Sequence, residues 1–280
     1  MATQEQEKGK IYWHGPFFEG LQLDLYQYRE SLKYDKEHEL AKEFLIVDVL
    51  VIKKTDDVVI EKDIGKIFKG HNLVEFKSEK DSFSVRDYNK VLGYAHIYAS
   101  NEDVSLFDIT VTIAVTMYPE ALEDYLENTM NQKIQKKGNG IYYIEGEKFP
   151  IQILENKNLS KENLFLRNLR SNLTAEDAAA VAQAYAKLKV VETKNAYLNG
   201  IIQANPGAFK EAMLMSAEAR EIIMTTAEEI GWLQKYKTDA ATQAAKAKEL
   251  EIARSLKLDN VPFSVIVKNT TLTLKEVEAL

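Results

Sequence analysis

The sequence contains no cysteine among its 280 residues. Disulfides, thiolate metal sites and a cysteine nucleophile are therefore excluded, and such a chain suits a reducing cytoplasm. No apolar run approaches the roughly 20 residues that a bilayer-spanning helix needs, so no membrane association is expected. The opening Met-Ala-Thr-Gln-Glu-Gln-Glu-Lys is polar and acidic, without the basic start and apolar centre of a signal peptide. The four histidines, His14, His38, His71 and His96, are scattered, with no pair at metal-ligand spacing. His71, just before the segment Leu73–Lys77, is either near a site there or an ordinary loop histidine. There is no Gly-rich phosphate loop, which leaves ATP-driven chemistry without support.

A large excess of basic charge is also missing. The formal net charge is −7, which disfavours a protein that coats nucleic acid through phosphate neutralisation alone. The acid is unevenly spread. Residues 48–96 carry nine basic and nine acidic side chains, whereas 97–160 carry five basic and ten acidic. A local basic groove is compatible with that distribution; a broad basic surface is not.

Hydrophobic residues make up 45% of the chain and charged residues 28%, ordinary values for a globular protein able to bury a sizeable core. The segment Gly20–Tyr28 alternates like a strand and also carries a helical stripe at Leu21, Leu25, Tyr28 and Leu32. Its continuation through Arg29–Lys33 favours helix. Phe44–Lys54 reads as a buried strand, Val58–Ile60 as a short returning strand and Leu73–Lys77 as the next one. Ser84 and Asp87 mark a helix start, with an apolar stripe at Val85, Tyr88, Leu92 and Ala95. Asp108–Met117 is a strand, Glu120–Asn128 a helix, and Gly140–Ile144 with Phe149–Leu154 a hairpin. From about residue 160 the composition turns to Ala, Leu, Glu and Lys, with no strand signal and a break at Asn205-Pro-Gly207. The expected organisation is an α/β domain over 1–159, a mixed β-sheet flanked by helices, and a helical region over 160–280. Ala240–Leu256, a helix with a weak apolar face, is either exposed or an oligomer contact.

Chemistry concentrates at Asp48 and Glu75-Phe-Lys77. Asp48 interrupts the apolar run Phe44–Ile52, where an unpaired carboxylate is costly unless it is hydrogen-bonded or binds a cation. Glu75 and Lys77 lie two residues apart on one strand and so share a face, about 6–7 Å apart. Glu-x-Lys alone says little, since charged residues alternate on many solvent-facing strands. An acid on one strand with an acid and a lysine on its neighbour, however, can hold a hard divalent cation and position a water.

The order Asp48, Glu75-Phe-Lys77, then a helix with Tyr88-Asn-Lys90-Val-Leu-Gly-Tyr94 resembles the PD-(D/E)XK nuclease superfamily. The wider phrases Ile46–Lys54, Ile64–Ser78 and Asp108-Ile-Thr-Val-Thr112 resemble its bacterial transposase-like and recombination-promoting nucleases, as do Ala204–Lys210 and Leu272–Val277 of the tail. Val47-Asp48 stands where the superfamily has Pro-Asp. The resemblance implies a restriction-endonuclease-like core and a Mg- or Mn-dependent DNA endonuclease, with assembly or DNA positioning by the helical tail. Asp48, Glu75, the Phe76 carbonyl and a first-helix acid, Asp24 before Glu19, would be metal ligands. Lys77 would orient or help deprotonate the attacking water, and Lys90 would contact phosphate or support Glu75. Lys53, Lys54, Lys66 and Lys69 either line a DNA groove or are solvated. A catalytically inactive nuclease fold serving as a binding module is the alternative.

Overall fold

The structure, a computed structural model, describes residues 13–35, 50–55, 58–79, 81–188, 196–229, 232–259 and 261–280. Asp48 lies outside them. The chain divides into two compact units, residues 1–223 and 224–280. From residue 156 on, every element among the described residues is helical.

The first unit opens with α1 (His14–Asp24), a 3-10 turn at Tyr26–Ser31 and strand β1 (Leu32–Asp35). The helix expected to run to Lys33 therefore stops at Asp24. Residues 32–35 pair antiparallel with β2 (Leu50–Lys54), and ladder bonds to a neighbouring strand override the local helical stripe. Next come β3 (His71–Lys77), α2 (Val85–Glu102), β4 (Ile109–Val115), α3 (Glu120–Asn128), β5 (Lys133–Gly138), β6 (Ile141–Glu145) and β7 (Ile151–Glu155). They form one seven-stranded mixed sheet in the order β1-β2-β3-β4-β7-β6-β5. The central strands β3, β4 and β7 are parallel, and the outer pairs are antiparallel. The protein is thus α/β, its sheet flanked by helices and followed by further helices.

One face of the sheet carries the main core. Leu73, Val111, Ile113, Ile151 and Ile153 pack there against Tyr88, Val91, Ala95 and Tyr98 of α2 and Leu122 and Leu126 of α3. Val85 and Leu92, both in the expected stripe, border this core. The other face meets α1, where Phe17 stacks on Phe76 with ring centroids 4.3 Å apart.

That second face also explains why Val58–Ile60 forms no strand. The segment before β3 lies across the sheet and bonds to polar side chains that rise from it. Asn72 donates to the carbonyls of Ile52 (3.1 Å) and Lys69 (2.7 Å), while its Oδ1 accepts from Lys69 N at 2.9 Å. Thr110 Oγ1 also accepts from Lys69 N, and Gln152 Nε2 bridges Ile64 O and Thr112 Oγ1, both at 2.8 Å. These side chains supply the partners that buried loop backbone requires. Thr110 and Thr112 of β4 are thus buried fasteners between the sheet and this segment.

Strand β5 carries Lys133, Lys136 and Lys137 exposed on the edge of the sheet, a charge pattern that blunts edge-to-edge pairing. It turns into β6 through Gly140, whose φ of +67° suits glycine and whose carbonyl accepts from Glu155 N at 2.7 Å. A Cβ there would sit 2.6 Å from the Glu155 carbonyl oxygen. Gly140→Ala should therefore cost roughly 2–4 kcal/mol, from backbone strain and overpacking together. A urea midpoint equal to that of the unmodified protein would refute this packing.

The remaining helices of the first unit are α4 (Leu164–Arg167), α5 (Ala175–Lys187), α6 (Ala196–Ala204) and α7 (Pro206–Met215), with the division falling inside α8 (Ala217–Glu229). Pro206 opens α7, where its missing N–H costs nothing. The second unit holds α9 (Trp232–Leu258), α10 (Phe263–Asn269) and α11 (Leu274–Glu278) around Ala253, Ile266, Leu272 and Val277. Among the described residues no helix is long and apolar enough to cross a membrane.

Candidate active site

The three parallel strands end in one row. Lys77 pairs with Val115 and Val115 with Glu155, each the last residue of its strand. Glu75 lies one side-chain repeat back from Lys77 on the α2 face of β3, with Phe76 turned to α1. The carboxyl ends of parallel strands are where open α/β sheets bind ligands. Two polar groups one residue beyond these ends, Thr116 Oγ1 and the side-chain amide of Asn156, are buried without a partner among the described residues.

Glu75 is buried, with 5% of its surface exposed, and its Oε1 is 3.7 Å from Lys77 Nζ. The same ammonium lies 3.2 Å from Asp87 Oδ1 on the first turn of α2. Asp87 is fixed in turn by a capping box: its backbone N–H donates to Ser84 Oγ, and its Oδ2 accepts from the Ser84 backbone N–H at 3.0 Å and hydroxyl at 2.6 Å. A strand end and a helix start thus hold one lysine between two carboxylates. Ser84-x-x-Asp87 was visible as a helix start, but that Asp87 would also grip Lys77 was not.

Burial disfavours the Lys77 ammonium, but the hydrogen bond to Asp87 and the charges of Glu75, Asp87 and Asp81 outweigh it and raise the pKa. Asp87 is the converse. Burial pushes its carboxyl up, while the Ser84 hydroxyl and backbone bonds and the Lys77 charge prevail and lower it. Lys77 is thus a stabilised cation held between two acids.

The other residues named from sequence lie elsewhere. Asp24, at the end of α1, accepts from the backbone N–H groups of Leu166 (2.7 Å) and Phe165 (3.3 Å) and from Lys62 Nζ (3.5 Å). Burial raises its pKa to about 6 against the pull of Lys62 and those two amides. Glu19 is buried between the Tyr185 hydroxyl, at 2.6 Å, and the backbone N–H of Tyr197. Both acids of α1 fasten it to later helices, on the sheet face opposite Glu75 and Lys77. Lys90 is exposed, its ammonium 5.2 Å from the Tyr94 ring centroid. His71 opens β3, six residues from Lys77 and hence roughly 20 Å along the strand, where Nδ1 meets the Tyr98 hydroxyl at 2.8 Å. It begins the strand instead of preceding it, and is therefore remote from the strand end. Lys53 pairs with Glu102 at 2.7 Å, and Lys54 donates to Val58 O.

Comparison of the chain with protein-family models, curated proteins and solved structures returns no match. Glu75, the Phe76 carbonyl and Lys77 stand together by virtue of one strand. Among the described residues no three His, Asp or Glu side chains are grouped to hold a metal ion, with Asp48 outside that set. The donor set of a buried carboxylate and a main-chain carbonyl is the oxygen chemistry that magnesium takes.

Proposed function

We propose that this protein is a metal-dependent nuclease that hydrolyses DNA phosphodiester bonds, of the PD-(D/E)XK transposase-like type its sequence resembles. The observation that carries the reading is the Lys77 ammonium, held between buried Glu75 and capped Asp87 at the end of a parallel strand. The strand–strand–helix–strand order around that motif supports it. Glu75, the Phe76 carbonyl and Asp48 would hold magnesium or manganese. Such an ion lowers the pKa of bound water and offsets charge on the phosphate. Lys77 donates a charged hydrogen bond where negative charge builds on the phosphoryl oxygens. Asp87 fixes the Lys77 ammonium, so it needs little reorganisation at the moment of reaction. Asp24 and Lys90 have no part in this assignment.

Purified protein should nick supercoiled plasmid with magnesium or manganese, and Asp48→Ala or Glu75→Ala should abolish the nicking. Equal trace cleavage by the unmodified protein and Asp48→Ala would remove the assigned site. One observation favours an inactive nuclease fold used for binding: Lys77 is neutralised on both sides by protein carboxylates, as structural ion pairs are. On that reading titration calorimetry detects no magnesium binding that depends on Glu75.

A further inference from the structure

Across the sheet from Glu75, one register row runs through Ile113 and Ile153 to Tyr142 and Lys136. Direct partners share a face, so Tyr142 and Lys136 stand on the Glu75 side, roughly 14 and 19 Å away at about 4.8 Å per strand. The Tyr142 ring lies 4.5 Å from that of Tyr118, tilted by 46°. Tyr118 follows β4, next to Met117, which is 56% exposed. Tyr142 Oη donates to Glu155 Oε2 at 3.3 Å, and Lys157 pairs with the other oxygen at 3.5 Å. Tyr118 and Tyr142 are both half-buried, Tyr142 bordering the main core, and Lys136 is exposed. An aromatic pair flanked by two lysines therefore lies on the same rim as the candidate active site.

A chain of net charge −7 gains little from phosphate neutralisation over a long duplex. Stacking of unpaired bases on aromatic rings is independent of net charge and tolerant of sequence. Glu155 disfavours a phosphate directly on the tyrosines but not a neutral base, while exposed Lys136 and the exposed Lys157, already paired with Glu155, place positive charge on either side for flanking phosphates. We infer that this rim is a subsite for unpaired nucleotides: a single strand extending from Glu75 and Lys77 stacks a base on Tyr118 and Tyr142, between Lys136 and Lys157. The inference rests on the nuclease reading for what happens at Glu75, but the subsite is measured by binding alone.

The test is fluorescence anisotropy of a labelled oligothymidylate strand, and of a matching duplex, with the full chain in EDTA. The protein should prefer the single strand. Tyr142→Leu should weaken that binding by about tenfold, whereas Tyr142→Phe, which keeps the ring and loses the bond to Glu155, should bind like the unmodified protein. Lys136→Ala should lower the slope of log affinity against log salt by about 0.7; it also probes the subsite should Tyr142→Leu fail to fold. Duplex preference, absence of single-strand binding, an unchanged slope in Lys136→Ala, or equal losses in the Leu and Phe variants would overturn the proposal. Undiminished cleavage in Glu75→Ala would instead sink the nuclease reading and leave the subsite standing.

Discussion

Replacing Lys77 with methionine should slow plasmid cleavage by roughly a hundred- to a thousandfold, the loss that follows removal of one preorganised donor to a charged transition state. Methionine keeps much of the apolar stem and deletes only the ammonium. Asp87 retains its bonds to Ser84, so the helix start should survive. Metal binding measured by calorimetry should persist, because the ligands proposed above, Glu75 and the Phe76 carbonyl, are untouched. Asp87→Asn should lose less, about tenfold, since it loosens Lys77 without removing it and the asparagine oxygen can still accept from the Ser84 backbone N–H. Lys77→Arg should not restore the full rate, because a planar fork does not reproduce a point charge seated 3.7 Å from Glu75 and 3.2 Å from Asp87. Cleavage at the unmodified rate in Lys77→Met would remove the lysine from the chemistry. Loss of metal binding in that variant would recast it as a scaffold for Glu75.

Asp24→Ala should destabilise the first unit by about 2–4 kcal/mol, because it strands two backbone N–H groups of α4 and the partly buried Lys62 ammonium. Asp24→Asn should behave differently, and pH separates the two. The carboxyl is held at about 6, above its ordinary 3.8, because burial penalises the ionised form. The folded protein therefore binds this proton more tightly than the unfolded chain. Its contribution is fully present below about pH 4 and is lost as pH rises through 6, in all by roughly 3 kcal/mol. Asparagine keeps an acceptor for the Leu166 amide and carries no ionisation penalty, so that pH dependence should vanish. Near pH 4.5 Asp24→Asn should lie close to the unmodified protein, and at pH 7.5, where the buried carboxylate carries that penalty, it should be the more stable of the two by up to about 3 kcal/mol. Urea titrations at pH 4.5 and 7.5 measure this, and an unchanged pH profile would refute the assignment. Cleavage supplies a second reading: a structural Asp24 leaves Asp24→Asn active, whereas a metal ligand would not.

Period and chemistry made much of the fold legible. Ser84 and Asp87 marked the start of α2, Glu120–Asn128 matched α3 residue for residue, and the hairpin around Glu145–Lys148 appeared as β6 and β7. The misreadings share one cause. Leu32–Asp35 and Lys133–Gly138 are strands because a neighbour pairs with them, which no local pattern encodes. Val58–Ile60 has β-branched composition, but Asn72, Thr110 and Gln152 hold the segment that follows across a sheet face instead.

The sequence by itself determined that Glu75 and Lys77 share a face, because strand geometry turns alternate residues the same way whatever surrounds them. It determined likewise that Asp87 sits at a helix start. Only the tertiary structure decided that the helix start closes on the strand end, making Lys77 a cation held between two acids. It also turned the first-helix acids Asp24 and Glu19 toward α4, Tyr185 and Tyr197. Those pairings join residues up to 178 positions apart, so packing sets them. Spacing along a single element cannot.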